Sequence, residues 1–169
     1  MNKLFSLVLM SFVLYSCENK IETKKIDSVN WDKRAVSFAL NDSLVKGSTY
    51  LSVYSEIYNF TESEKRTLTA TVSMRNVDKK DSIYVFKADY YNTNGKLIRT
   101  YFDKPIYLAP METVEIIISQ TDKEGGTGGN FLFDWKTKAG VGEPIFEAVM
   151  ISISGQHGLS FTTQGKRVD

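Results

Sequence analysis

The chain reads as an all-β protein: an antiparallel β-sandwich of Ig-like or fibronectin-like architecture with roughly eight strands. Three observations predict it. From Thr49 onward, short runs of branched and aromatic residues recur between turn signals. Within them apolar and polar residues alternate: Leu68, Ala70, Val72 and Met74 are set between Thr67, Thr69, Thr71, Ser73 and Arg75. That period of two gives a strand with one buried face. Third, no long run repeats with helical spacing. The Cys…Trp…Cys hallmark of immunoglobulin domains is missing, so the inference concerns architecture and not membership of that family.

The first element is a leader over residues 1–16. Met1-Asn2-Lys3 is a positive start, and the uncharged run from Leu4 to Tyr15 leads to Ser16 and Cys17. This is the layout of a secretory signal with a small residue before the cut. The run is about twelve residues, short of the ~20 needed to cross a bilayer. The cysteine directly after it resembles a bacterial lipoprotein box, in which Cys becomes the acylated first residue. The competing expectation is an ordinary signal peptide whose last apolar residue happens to be Cys17. With no second cysteine, no disulfide can form within the chain. Residues 17–30 are polar, charged and aperiodic, as expected of a lipidated N-terminus followed by a tether. Residues 31–169 form a single domain.

Residues 31–46 fit two patterns. Val36, Phe38 and Leu40 alternate like a strand, while Trp31, Ala35 and Phe38 could line one helical face. The segment is left unassigned. Strands are then expected from Tyr50 to Tyr58 and over the Thr67–Arg75 alternation, followed by a polar turn at Val77–Asp81. Ile83 to Tyr91 is the next strand. Asn92-Thr93-Asn94-Gly95 is a hairpin turn, since Asn and Gly accept positive φ cheaply, and Lys96 to Phe102 returns from it. Pro105 and Pro110 bracket Ile106-Tyr107-Leu108 as a short edge piece. Val114 to Ser119 is almost continuously apolar and is expected at the centre of a sheet. Phe131–Trp135, Ile145–Ser154 and Leu159–Thr163 complete the set.

Charge narrows the partners. The chain has 21 basic and 20 acidic residues, and Lys3 is the only charge in the leader, so the remainder has 20 of each. A neutral chain lacks the basic surface that displaces counterions from nucleic acid. It also lacks the polybasic patch that adheres to anionic lipid. Membrane attachment would therefore rest on acyl chains at Cys17, of which two hold stably and one only marginally.

The stretch from Tyr50 to Val168 resembles an uncharacterised bacterial family, the domain-of-unknown-function family thirty-one twenty-four. The likeness is carried by Tyr50-Leu51-Ser52-Val53-Tyr54-Ser55, Thr69-Ala70-Thr71-Val72-Ser73-Met74-Arg75-Asn76 and Ala88-Asp89-Tyr90-Tyr91. It continues through Leu108-Ala109-Pro110-Met111-Glu112-Thr113, the glycines of 125–130 leading to Trp135, and Gly155-Gln156-His157-Gly158. The resemblance implies an exported or lipid-anchored β domain and supplies no mechanism.

Two places could carry a site. Gly125-Gly126-Thr127-Gly128-Gly129-Asn130 could present a nest of backbone N–H groups to an anion, or could simply be a flexible or tightly turning loop. No Gly-Lys-Ser/Thr follows it, which excludes a nucleotide loop. Asp122, Glu124, Asn130 and Asp134 offer the hard oxygens that calcium takes, without EF-hand spacing. The second place is His157, the sole histidine, which cannot build a conventional zinc site alone. A Ser–His pair would need Ser152, Ser154 or Ser160, and no Gly-x-Ser-x-Gly is present. Ser43-Leu44-Val45-Lys46 matches Ser-x-x-Lys without its Lys-Thr-Gly partner.

Tyr50, Tyr54, Tyr58, Tyr84, Tyr90, Tyr91, Tyr101 and Tyr107 fall on expected strands, where they either pack in the core or stack on sugars, with 84 and 91 depending on register. If successive strands reverse, the loops 59–66, 92–95, 120–130 and 155–158 gather at one end. The expectation is a non-catalytic binding module of the bacterial envelope, membrane-anchored outside the cytoplasm, with no cofactor and no nucleic acid. Its partners would be the membrane and an envelope protein or glycan. The alternatives are a hydrolase or metal-dependent enzyme centred on His157 and the 122–134 loop, and a carbohydrate-binding module with two or three coplanar exposed aromatics.

Overall fold

A computed structural model describes residues 29–36, 43–153 and 157–169. The leader, Cys17, most of the tether, Phe38, Leu40 and Ser154 to Gln156 lie outside the described residues. The fold is all-β with antiparallel sheets. One sheet has the order β12-β1-β9-β5-β6, with β7 also on β5. Its strands are β1 (Val45–Ser52), β5 (Ile83–Tyr91), β6 (Leu97–Thr100), β7 (Ile106–Leu108), β9 (Asn130–Thr137) and β12 (Lys166–Arg167). The smaller sheet, β11-β10-β4-β8, comprises β4 (Thr69–Arg75), β8 (Thr113–Ile118), β10 (Ile145–Ser152) and β11 (Leu159–Gln164). A hairpin of β2 (Glu56–Tyr58) and β3 (Lys65–Thr67) stands apart. The pieces beyond the expected count are short, with two or three residues each in β2, β3 and β12. Runs that brief carry no readable period.

The inner faces meet in one core. Leu51, Val85, Ala88, Tyr90, Phe131, Phe133 and Trp135 from the larger sheet face Ala70, Val72, Met74, Val114, Ile116, Ile118, Phe146, Ala148 and Met150 from the smaller. An aromatic stack threads it: Tyr90 on Phe131 at 4.8 Å, Phe131 on Phe133 at 5.3 Å, and Phe133 on Phe146 at 4.2 Å across the sheets.

Two expectations need correcting. β8 is an edge strand and not a central one, pairing among the described residues with β4 alone. Val114, Ile116 and Ile118 point inward, while Ile117 is 38 % exposed on the outer face. One β-branched residue on an open face makes an alternating strand look continuous. The Tyr50–Tyr58 run is two strands. It breaks after Ser52, where Val53 N–H donates to Gly129 O and Leu68 N–H donates to Ser55 O, turning the chain from one sheet toward the other. Residues 31–36, unassigned from sequence, form a single helical turn, α1 (Trp31–Arg34), capped by Asn30 Oδ1, then a bridge from Ala35 to Ile106.

The hairpin turn at 92–95 forms as expected, with Gly95 at φ +73° and Asn92 Oδ1 accepting from the N–H groups of Asn94 and Lys96. The registers fix direction. Ser52 faces Asn130, Tyr91 faces Asn130, Ile118 faces Ala70, and Ser152 faces Leu159. Hence β1, β5, β8 and β10 end where β4, β6, β9 and β11 begin. The connections 92–96, 119–129 and 153–158 share that loop end, and the β2–β3 hairpin leaves from it.

The N-terminal segment is fastened toward the other end. Trp31 rests on Phe102 at 5.1 Å, and Arg34 Nη2 donates to Glu112 Oε1 at 2.7 Å, in the turn that precedes β8. The Arg34 guanidinium holds the Glu112 carboxyl below its ordinary 4.5. A carboxyl with a depressed folded pKa contributes stability above its unfolded pKa and loses it as pH falls through the folded value. Thermal midpoints measured from pH 7 to pH 3 are therefore expected to fall more steeply below about pH 4.5 in the wild type than in Glu112→Gln. Equal slopes would refute a contribution from this pair.

Candidate functional site

The glycine loop is a clamp built on the core. A side chain on Gly125 would place Cβ 1.9 Å from the Tyr90 hydroxyl and 2.8 Å from Ser55 Oγ, so only glycine lets the loop sit this low. Gly126 has φ +69° and opens a single 3-10 turn over residues 126–128. Its backbone groups are largely used within the fold. Thr93 N–H and Oγ1–H both donate to Gly125 O, Gly128 N–H donates to Thr93 Oγ1, Gly126 N–H donates to Lys123 O, and Ser55 N–H donates to Gly126 O. The N–H groups of Gly126 and Gly128 are thus committed to the turn and to Thr93 instead of an anion. Asn130 is the first residue of β9, set between Ser52 and Tyr91.

Beneath the clamp lies Tyr90, fully buried, whose hydroxyl has no hydrogen-bond partner among the described residues. The nearby Ser55 hydroxyl turns instead to Gly126 O at 3.4 Å. Burial pushes the Tyr90 phenol up to about 12. Tyr90→Phe is expected to leave stability unchanged or raise it by up to about 1 kcal/mol, because it removes an unsatisfied buried group. Gly125→Ala is expected to cost about 1–3 kcal/mol by overpacking, and less in the Tyr90→Phe background. Denaturant melts of the four proteins test this, and strictly additive changes would refute the contact.

Above the clamp is a groove of about 280 Å³, walled by Tyr58 and Lys65 of the hairpin, by Asn92, Thr93 and Asn94, and by Glu124 to Thr127. A second hollow of about 330 Å³, lined by Asn92, Lys96, Leu97, Ile98 and Glu124, adjoins it across Asn92 and Glu124. Lys65 Nζ lies 5.7 Å from the centre of the Tyr58 ring and 3.4 Å from Glu56. Arg99 Nη2 holds Asp122 at 3.1 Å and Glu124 at 3.2 Å, and its Nη1 donates to Tyr101 Oη at 3.1 Å. The lining therefore offers amides, hydroxyls, one exposed tyrosine ring, one lysine and the Glu124 carboxylate. That donor set suits a polar ligand held by hydrogen bonds and one stacking contact.

Of the expected calcium and catalytic groups, Glu124 lines the groove and the others do not. Asp122 and Glu124 are engaged by Arg99, while Asp134 lies along β9 and accepts from Ser48 Oγ at 2.6 Å. No cluster of three or more His, Cys, Asp or Glu suited to a metal occurs among the described residues. His157 is exposed, whereas Ser152 faces the interior with its Oγ unpartnered among those residues, and Ser160 is exposed on β11. Thr127 with Gly125 and Gly126 does line the groove, while Gly128 and Gly129 support the clamp from behind. The residues that sequence reasoning missed are Lys65, Asn92, Thr93 and Asn94. The reversal of successive strands does set the 92–95 turn at the glycine loop's end, as expected; which of its side chains face the groove depends on contacts distant in the chain.

A family model described as a protein of unknown function, DUF3124, matches residues 46–168. The chain belongs to this family. The match begins at the second residue of β1 and covers both sheets, so the sandwich and its loop end together are the DUF3124 domain. No curated protein and no solved structure matches the chain significantly. Membership in DUF3124 accordingly brings no activity with it, and the function must be argued from the groove.

Proposed function

We propose that this DUF3124 protein is a non-catalytic binding module, held at a membrane surface outside the cytoplasm by acyl chains on Cys17, with its loop end as the binding face. The observation that carries this is the gathering of the hairpin, the 92–95 turn and the glycine loop around one polar groove. Loops on a rigid sandwich are where such scaffolds place recognition. The attachment geometry supports it as well. Trp31 and Arg34 fasten the N-terminal segment on the side of Phe102 and Glu112, away from the groove. A tether arriving there leaves the groove free to meet an envelope protein or glycan.

Two measurements test the two halves separately. A clickable fatty acid is expected to label the wild type and not Cys17→Ala, and label on neither would refute the anchor. For the groove, photo-crosslinkers at Asn94 and Thr127 are expected to capture the same discrete species in intact cells, and one at Thr162, on the outer face of the smaller sheet, is not. Capture that is equal at all three positions would refute the loop end as the binding face.

A further inference from the structure

We infer that the outer face of the larger sheet, remote from the groove, is a platform for an acidic polysaccharide. The two outer faces differ in chemistry. The smaller sheet presents Thr71, Ile117, Val149, Ile151 and Thr162, with no aromatic ring among the outward residues of its strands. The larger presents tyrosines and lysines. Register places Lys46 opposite Lys136, Lys136 opposite Tyr84, and Tyr84 opposite Tyr107, a single row across β1, β9, β5 and β7. Neighbouring strands lie about 4.8 Å apart, so the row is about 14 Å long, the reach of a short oligosaccharide.

Two features of the row call for an anionic ring-bearing ligand. Lysines directly opposite on one sheet face repel each other. Neither Lys46 nor Lys136 has a carboxylate within ion-pair distance among the described residues; Lys136 Nζ sits instead 4.7 Å over the Phe86 ring. An anion between the two ammonium groups would relieve that repulsion. In the same row Tyr107 is 38 % exposed and offers a ring face for sugar stacking. The row therefore suits a chain that sets a carboxylate over the two lysines and a sugar face over Tyr107. Nucleic acid fits less well. These cations are lysines, not the arginine forks that grip phosphate bidentately, and Asp134 and Asp89 interrupt the adjacent rows of the face. A continuous basic track is what nucleic acid requires.

The test uses the full chain in neutral detergent and is independent of whether Cys17 is acylated. By calorimetry, polygalacturonate is expected to bind, more weakly as salt rises, and dextran is not. The double variant Lys46→Gln/Lys136→Gln is expected to lose about tenfold or more in affinity, near 1.4 kcal/mol, with an unchanged or raised thermal midpoint. Tyr107→Ser is expected to weaken binding at low and high salt alike, since stacking is not screened. No binding of polygalacturonate, equal binding of dextran, or an undiminished lysine variant would each overturn the inference. Tighter binding of oligothymidylate than of polygalacturonate would overturn it in favour of nucleic acid.

Discussion

Trp135→Ala is expected to destabilise the domain by about 3–5 kcal/mol, the range for deleting a large buried aromatic. Trp135 is 1 % exposed, near the end of β9, and three neighbours depend on it. Its Nε1–H donates to Thr49 Oγ1 at 2.9 Å, the Arg167 guanidinium lies 5.3 Å over its ring, and Gly47 passes directly beneath it. A Cβ on Gly47 would fall 2.3 Å from Trp135 Cζ2, so strand β1 needs glycine to let the indole lie flat on its backbone. This makes the prediction sharper than a simple cavity cost. Gly47→Ala is expected to be costly in the wild type, by about 1–3 kcal/mol, and nearly silent once Trp135 is alanine. Equilibrium melts of the wild type, both single variants and the double variant form the cycle. Additive costs would show that the ring and the glycine do not share this space.

Asn76→Ala is expected to cost about 2–4 kcal/mol, because it strands several polar groups at once. Asn76 follows β4 and is almost fully buried. Its Nδ2 donates to the carbonyls of Asp81, Leu108 and Ala109 at 2.8–3.0 Å, and its Oδ1 accepts from Asp78 N–H at 2.9 Å. One side chain thereby ties the β4–β5 connection to the β7–β8 connection, opposite the loop end. Asn76→Asp is expected to be worse still, since it turns a carboxylate oxygen toward three carbonyl oxygens. Hydrogen exchange on the alanine variant should quicken first at residues 77–82 and 108–112. Uniform acceleration across both sheets would instead indicate a global loss.

Neither residue's structural role could be read from the sequence, for physical reasons. Trp135 closes a clean alternation with Phe131 and Phe133, which marks it as inward but not as lying over a glycine of β1, far away in the chain. Asn76 sits beside a polar turn, where amides are ordinary. Its partners at 108 and 109 are brought to it only by the pairing of β4 with β8. The candidate site shows the same split. The glycine loop and the Asn-Thr-Asn-Gly turn are each visible as turn chemistry, but Thr93 inserting its hydroxyl between Gly125 O and Gly128 N–H is a long-range fact.

Tyrosine positions make the division plain. Strand propensity predicts eight of them on strands, of which Tyr54 and Tyr101 fall just outside, and a one-residue shift of register exchanges core for surface. Tyr90 is buried under the clamp, while Tyr84 and Tyr91 on the same strand face outward, with a bulge between Val85 and Lys87 setting the phase. Period-two alternation, turn residues and the shortage of helical spacing determined by themselves that this chain is an antiparallel β protein, because those signals are local. Which strand lies at an edge, which glycine lies against a ring, and which lysines stand side by side were decided only by the tertiary structure. Each of these depends on register between strands distant in the chain, and one strand's pattern carries no information about its partner.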